Sequence, residues 1–181
     1  TSKTPWKVRV ADFIPMTFES ILLSLPLIIL SMTINRNPAV QAALLEAVEA
    51  TENAGPELLI QIVSGIGAGI YEELVFRLIL ISLLMLLFQD FIGLPRKDSI
   101  IISITISAIL FSLHHHIFYI EGVFRQGEPF VFATFIFRTL AGVYFAVIFA
   151  VRGFGIAVAT HAFYDIIAAI LNFALISQHS V

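Results

Sequence analysis

The stretch YEELVFR (residues 71–77) places two adjacent carboxylates and a guanidinium inside a long apolar segment. Within residues 58–88, the only charged side chains are Glu72, Glu73 and Arg77. A charged side chain at mid-depth in a bilayer costs at least about 2.5–3.5 kcal/mol on insertion scales. Charges retained in such a segment therefore indicate a functional site inside a membrane.

The spacing of the three charged residues predicts different partners for them. At about 100° per residue, Arg77 lies nearly on the same helix face as Glu73, and a Glu that precedes a cation by four residues is in the favourable order. Glu72 points about 140° away from Arg77 and needs another partner. We therefore expect Glu73 and Arg77 to form a structural pair, while Glu72 faces the chemistry.

The whole composition is that of a membrane protein. The 181 residues are 59% hydrophobic and 13% charged, with a mean hydropathy of +0.96, whereas a soluble domain averages about 25% charged residues. The net charge of −3 speaks against a nucleic-acid partner, and the lack of cysteine excludes disulfides and thiolate metal sites. No signal peptide and no initiator Met are visible, which leaves open a missing N-terminal piece.

Five apolar segments are long enough to cross a bilayer. They are residues 13–34, 58–88, 99–120, 130–151 and 154–176. The second is too long for a hydrocarbon core of about 30 Å, so it must tilt, break or protrude. Residues 39–50 predict an amphipathic helix at the interface. The sequence thus predicts an all-α polytopic bundle that forms a single domain over residues 1–181.

The basic residues predict the orientation of this bundle. If the segments alternate in direction, six cations fall on one side: Lys3, Lys7, Arg9, Arg96, Lys97 and Arg152. The other side holds Arg36 and Arg125. Because short cytoplasmic loops carry an excess of Lys and Arg, we expect the N-terminus to be cytoplasmic and the C-terminus to lie outside.

Two more apolar segments carry groups that suit catalysis. His115 lies in a run of three histidines, and His161 and Asp165 stand four residues apart near the end of the chain. Glu72 with a histidine opposite could act as a general base on water, and His161 with Asp165 could stabilise an oxyanion. Alternatively, Glu72, His115 and His161 could bind a divalent metal, since two imidazoles and a carboxylate form a known zinc site. Either route hydrolyses an amide inside the membrane.

Two other features concern packing around the acidic segment. Gly65 and Gly69 form a G-x-x-x-G pattern, which lets a neighbouring helix approach closely, and this face leads to Glu72 seven residues after Gly65. Arg138, in the fourth segment, is expected to snorkel or to pair with a carboxylate.

The residues resemble a known family, the CAAX prenyl protease type II and bacteriocin-processing (CPBP) intramembrane proteases. The signature of that family is E-E-x-x-x-R, then F-x-x-x-H, then H-x-x-x-N or D. Here the three motifs occur in order at residues 72–77, 111–115 and 161–165, each within an apolar segment. The resemblance covers about residues 66–171.

The resemblance implies catalytic roles for six residues: Glu72, Glu73, Arg77, His115, His161 and Asp165. The first glutamate and the motif histidine of the third segment would activate the water, the ion pair would order the site, and the last two would stabilise the oxyanion. Asp165 stands where Asn is commoner, which puts a pure hydrogen-bond-donor role in question. The family is described both as metallo- and as glutamate-dependent, so a Zn²⁺ cofactor stays open.

The resemblance also implies a bilayer environment and a peptide or lipidated-protein substrate, prenylated or not. It implies a prokaryotic plasma membrane, and it leaves the oligomeric state open. His114 and His116 are outside the motifs and are expected to line the site or the interface. Two other functions compete: a catalytically silent binding or immunity protein of the same fold, and a proton-coupled transporter, for which five segments without a repeat are few.

Overall fold

The described part of the chain contains five long helices, arranged as an all-α bundle, as predicted. The computed structural model describes residues 9–34, 36, 38, 40–41, 58–120, 123–126 and 130–179. The helices are α1 (Phe13–Ile34), α2 (Leu58–Phe91), α3 (Arg96–His114), α4 (Phe132–Arg152) and α5 (Phe154–His179). Each is long and apolar enough to cross a membrane. The five predicted spans are therefore confirmed.

The third span is shorter than predicted. Helix α3 ends at His114 instead of continuing to residue 120, and Ile117–Ile120 forms β1, which pairs antiparallel with β2 (Val123–Gln126). The β1 sequence IFYI is β-branched and aromatic, which favours extended backbone, whereas hydropathy alone does not separate it from a helix. The predicted interfacial helix at residues 39–50 falls almost wholly outside the described residues.

Helix α2 changes its winding at the charged stretch. It is α-helical over Leu58–Glu73, π-helical over Leu74–Ile81, α-helical over Ser82–Met85 and π-helical again over Leu86–Phe91. Its 34 residues span roughly 50 Å at about 1.5 Å per residue, so it must tilt or protrude from a core of about 30 Å, as expected. The first π-helical turn begins directly after Glu73, and such turns are frequent at functional sites.

Glycines set the closest helix contacts. A Cβ atom added to Gly65 would stand 2.8 Å from Cβ of Asp165 on α5, and one added to Gly69 would stand 3.3 Å from the backbone nitrogen of Ala162. Helices α2 and α5 therefore touch along the G-x-x-x-G face, which confirms its predicted use. Gly142 does the same for α4, since a Cβ there would lie 3.0 Å from Cα of Ala108 on α3.

Helix α1 contacts α4 and α5 through hydrogen bonds and an apolar cluster. Tyr144 donates its hydroxyl to the backbone oxygen of Leu23 at 2.8 Å, and Arg152 binds both carboxylate oxygens of Glu19. Tyr144 packs against an apolar cluster that joins α1, α4 and α5 and includes Leu27, Phe145 and Ile156. The cluster packs α1 against α4 and α5.

Candidate active site

Glu73 and Arg77 form a fully buried ion pair. Nε of Arg77 lies 3.1 Å from Oε2 of Glu73, and neither side chain has any exposed surface. The contact is an ion pair without an aligned hydrogen bond between these atoms. Arg77 also donates through Nη2 to the backbone oxygen of Gly142 at 3.3 Å, and its Cζ lies 4.2 Å from the ring centroid of Phe111. The predicted structural pair is therefore present.

The second oxygen of Glu73 orients His161. Nδ1 of His161 is 2.8 Å from Oε1 of Glu73. A carboxylate can only accept, so the hydrogen-bond pattern assigns the proton to Nδ1. In the neutral imidazole, Nε2 then carries a lone pair. Glu73 thus fixes Arg77 through one oxygen and the tautomer of His161 through the other.

Glu72 lies between two imidazoles. Its Oε1 is 3.6 Å from Nε2 of His115, and its Oε2 is 3.7 Å from Nε2 of His161. His115 bonds through Nδ1 to the backbone oxygen of Phe111 at 3.0 Å, and since that oxygen only accepts, its Nε2 also presents a lone pair. Two acceptors cannot bond without a proton between them, and both gaps are longer than a hydrogen bond. Glu72 therefore has the separate partners that its position on the helix predicted.

Asp165 completes the group from one turn further along α5. Its Oδ2 lies 3.8 Å from Nε2 of His161, on a side chain that is 24% exposed. The structure thus brings together all six predicted catalytic residues, from α2, from the C-cap of α3 and from α5. Their shared location agrees with the sequence, and their catalytic roles stay predictions.

The other polar candidates lie around this group. The ring of His114 packs near those of Tyr71 and Phe76, with centroids 6.4 Å and 5.6 Å away. His116 is buried against Phe130, with a centroid distance of 5.2 Å. Arg138 is half-buried on α4. The expectation that Arg138 snorkels or pairs with a carboxylate stays a prediction.

Helix α4 contributes two contacts that the sequence did not indicate. Phe145 stacks on His161, with ring centroids 4.4 Å apart and planes inclined by 17°, and Gly142 offers its carbonyl to Arg77. Both residues lie on the same side of α4 as Arg138, at helical spacings of four and seven. The sequence feature that could have indicated these contacts was Arg138, an intramembrane cation that Gly142 and Phe145 follow on the same helix face.

The metal hypothesis fits the residue types better than their present arrangement. The Nε2 atoms of two imidazoles lie 3.6 Å and 3.7 Å from the Glu72 carboxylate, and each imidazole is oriented through its other nitrogen, as in many metal sites. Among the described residues, however, no three His, Asp or Glu side chains stand close enough to hold an ion as they are. Glu72, His115 and His161 are the residues that would hold Zn²⁺ if the enzyme uses it.

The family model described as type II CAAX prenyl endopeptidase, Rce1-like, matches residues 54–167, well over half of the chain. The chain belongs to this family. All three motifs lie within the matched region, which agrees with the resemblance noted from the residues. No curated protein and no solved structure matches the chain. Membership in the Rce1-like family, together with the five long apolar helices, makes this an integral membrane protein and suggests CAAX-type intramembrane protease activity.

Proposed function

We propose that this Rce1-like protein is a glutamate-dependent intramembrane endopeptidase whose base is Glu72. The observation that carries the proposal is the position of the Glu72 carboxylate between the Nε2 atoms of His115 and His161. Nε2 of His115 presents a lone pair, so Glu72 and His115 together suit a small donor such as water between two acceptors. A positioned base of this kind typically contributes about 10²–10⁴ to a rate.

In the proposed reaction, a water molecule donates hydrogen bonds to Glu72 and to Nε2 of His115. Glu72 takes a proton as the water oxygen attacks the carbonyl carbon of the scissile peptide bond. The carbonyl oxygen becomes an oxyanion in a tetrahedral intermediate. Glu72 then passes the proton to the leaving amine, the carbon–nitrogen bond breaks, and the products are a new carboxylic acid, which keeps the second proton of the water, and a new amine.

His161 and Asp165 are proposed to stabilise the oxyanion. Nε2 of His161 can donate to it only when it carries a proton, and Glu73 at Nδ1 supports such an imidazolium much as the aspartate does in a serine-protease triad. Asp165 can donate only when protonated, unlike the Asn that is commoner at this position. Glu73 and Arg77 are not proposed to touch the substrate; they hold His161 and the helix turn that carries Glu72.

The substrate is proposed to be a membrane-associated peptide or lipidated protein, prenylated or not. Glu72 is only 8% exposed, on a helix that is long and apolar enough to cross a membrane. A free soluble peptide would have to leave water to reach it. A substrate already held by an apolar anchor would not.

The proposal is tested by cleavage of a membrane peptide library with detergent-purified protein, with and without a chelator, alongside a measurement of bound metal. We expect the metal-free protein to cleave the library at the same rate with and without the chelator. Cleavage that is lost on chelation and restored by zinc would replace the glutamate-dependent route with the second candidate, a Zn²⁺ enzyme. That candidate is favoured by the oriented pair of imidazoles. Absence of cleavage in both states would favour a silent binding protein.

A further inference from the structure

Phe145 covers one face of the His161 imidazole. The two rings are nearly parallel, with centroids 4.4 Å apart, and Phe145 is 1% exposed. It belongs to α4, which carries none of the three sequence motifs. The contact therefore adds a fourth helix to a site that the motifs place on three.

The hydrogen bond from His161 to Glu73 fixes only one edge of the ring. A single bond at Nδ1 still allows the imidazole to tilt about the line that joins its nitrogen to the carboxylate oxygen. Only a narrow range of tilts directs Nε2 between Glu72 and Asp165, which are 3.7 Å and 3.8 Å away. A flat aromatic ring pressed against the imidazole face restricts that tilt. Phe111 adds an edge contact at a centroid distance of 6.0 Å.

The same two aromatic rings also hold Arg77. Its Cζ lies 4.2 Å from the centroid of Phe111 and 5.6 Å from that of Phe145. Both distances fall within the range of about 6 Å in which an aromatic face attracts a guanidinium. Phe145 thus contacts the imidazole and the cation that share the Glu73 carboxylate, so its ring touches both partners of that carboxylate.

We propose that Phe145 is a positioning residue, whose ring sets the tilt of His161 and so directs Nε2 towards Glu72. Phe145 touches no reacting atom in the proposed reaction, and it acts through the imidazole. The kinetic consequence rests on the proposed function. The placement of the ring is measured separately, by proton NMR of His161, in a protein that need not be active.

The kinetic test compares Phe145→Leu, which keeps apolar bulk and removes the ring, with Phe145→Tyr, which keeps the ring. Because a misplacement of about 1 Å can cost about 100-fold in rate, we expect Phe145→Leu to lower kcat by about 10- to 100-fold with KM nearly unchanged. Phe145→Tyr should recover most of kcat. The control is Ile148→Ala, in the same apolar cluster, which should leave kcat unchanged. Equal losses of kcat in Phe145→Leu and Ile148→Ala would reduce Phe145 to a packing residue and overturn the proposal.

The second test is the proton NMR spectrum of the histidine rings, which is simple because the chain has five histidines. A stacked phenyl ring shifts the His161 ring protons upfield, and His161→Gln assigns them by their loss. Phe145→Leu should move these signals downfield and Phe145→Tyr should return them; if Phe145→Leu does not fold, Phe145→Met replaces it. Chemical shifts of the His161 ring protons that stay unchanged in Phe145→Leu would overturn the proposal. A signal change in a protein without peptidase activity would support the placement and reject the proposed function.

Discussion

Glu73 is the common partner of two buried side chains, Arg77 and His161. It faces Arg77 at 3.1 Å and His161 at 2.8 Å, and it has no exposed surface. A buried charge is tolerated only with partners, and removal of one partner is far costlier than loss of an exposed pair. The ion pair between Arg152 and Glu19, with side chains 52% and 30% exposed, offers the comparison.

Arg77→Ala is therefore expected to destabilise the protein by about 3–5 kcal/mol, because Glu73 stays buried without its guanidinium. Arg152→Ala should cost far less, because exposed ion pairs contribute little to stability. Unfolding of both variants in detergent measures the difference. If Arg77→Ala unfolds like the parent protein, the ion pair is not structural, and the assignment of Glu73 and Arg77 is wrong.

At the scale of elements, the contact of α2 with α5 brings Glu72 and Glu73 to His161. That contact depends on glycines at two positions, and Gly67 between them has nothing within 4 Å of an added Cβ. Gly67 is therefore a control position, two residues from Gly65 on another face of the same helix.

Gly65→Ala is expected to push α2 away from α5, because its Cβ would lie 2.8 Å from Cβ of Asp165. Overpacking of this kind costs about 1–3 kcal/mol, and it should lower peptidase activity because Asp165 must move. Gly67→Ala should be neutral or slightly stabilising, since alanine is the better helix former by about 1 kcal/mol. Thermal unfolding and cleavage assays of the two variants measure the effect. Equal behaviour of the two variants would show that the close contact is not needed.

The sequence predicted the helices better than it predicted the contacts between them. Hydropathy located five spans, and helical spacing separated the partners of Glu72 from that of Glu73. The π-helical turn after Glu73 and the early end of α3 were not predicted, because both depend on competition between local backbone preferences. The stacking of Phe145 on His161 was not predicted because it depends on how α4 and α5 pack, and one sequence does not contain that geometry.

At the scale of the whole molecule, orientation across the membrane is the main prediction that the fold leaves untested. The absence of cysteine makes the test direct. In intact cells, a membrane-impermeant maleimide should label Phe130→Cys and should spare Lys97→Cys, because the excess of basic residues predicts a cytoplasmic position for the first turn of α3. Both should react after the cells are opened. Labelling of Lys97→Cys alone in intact cells would reverse the predicted orientation.

The central claim is that Glu72 is the base that activates water, and the turnover of Glu72→Gln tests it most directly. Glutamine keeps the shape of the side chain and cannot accept the proton, so we expect cleavage to fall by about 10²-fold or more. Unfolding should change little, because Glu73 and Arg77 remain in place. A folded Glu72→Gln protein that cleaves its substrate at the rate of the parent would contradict the account and remove Glu72 from the mechanism.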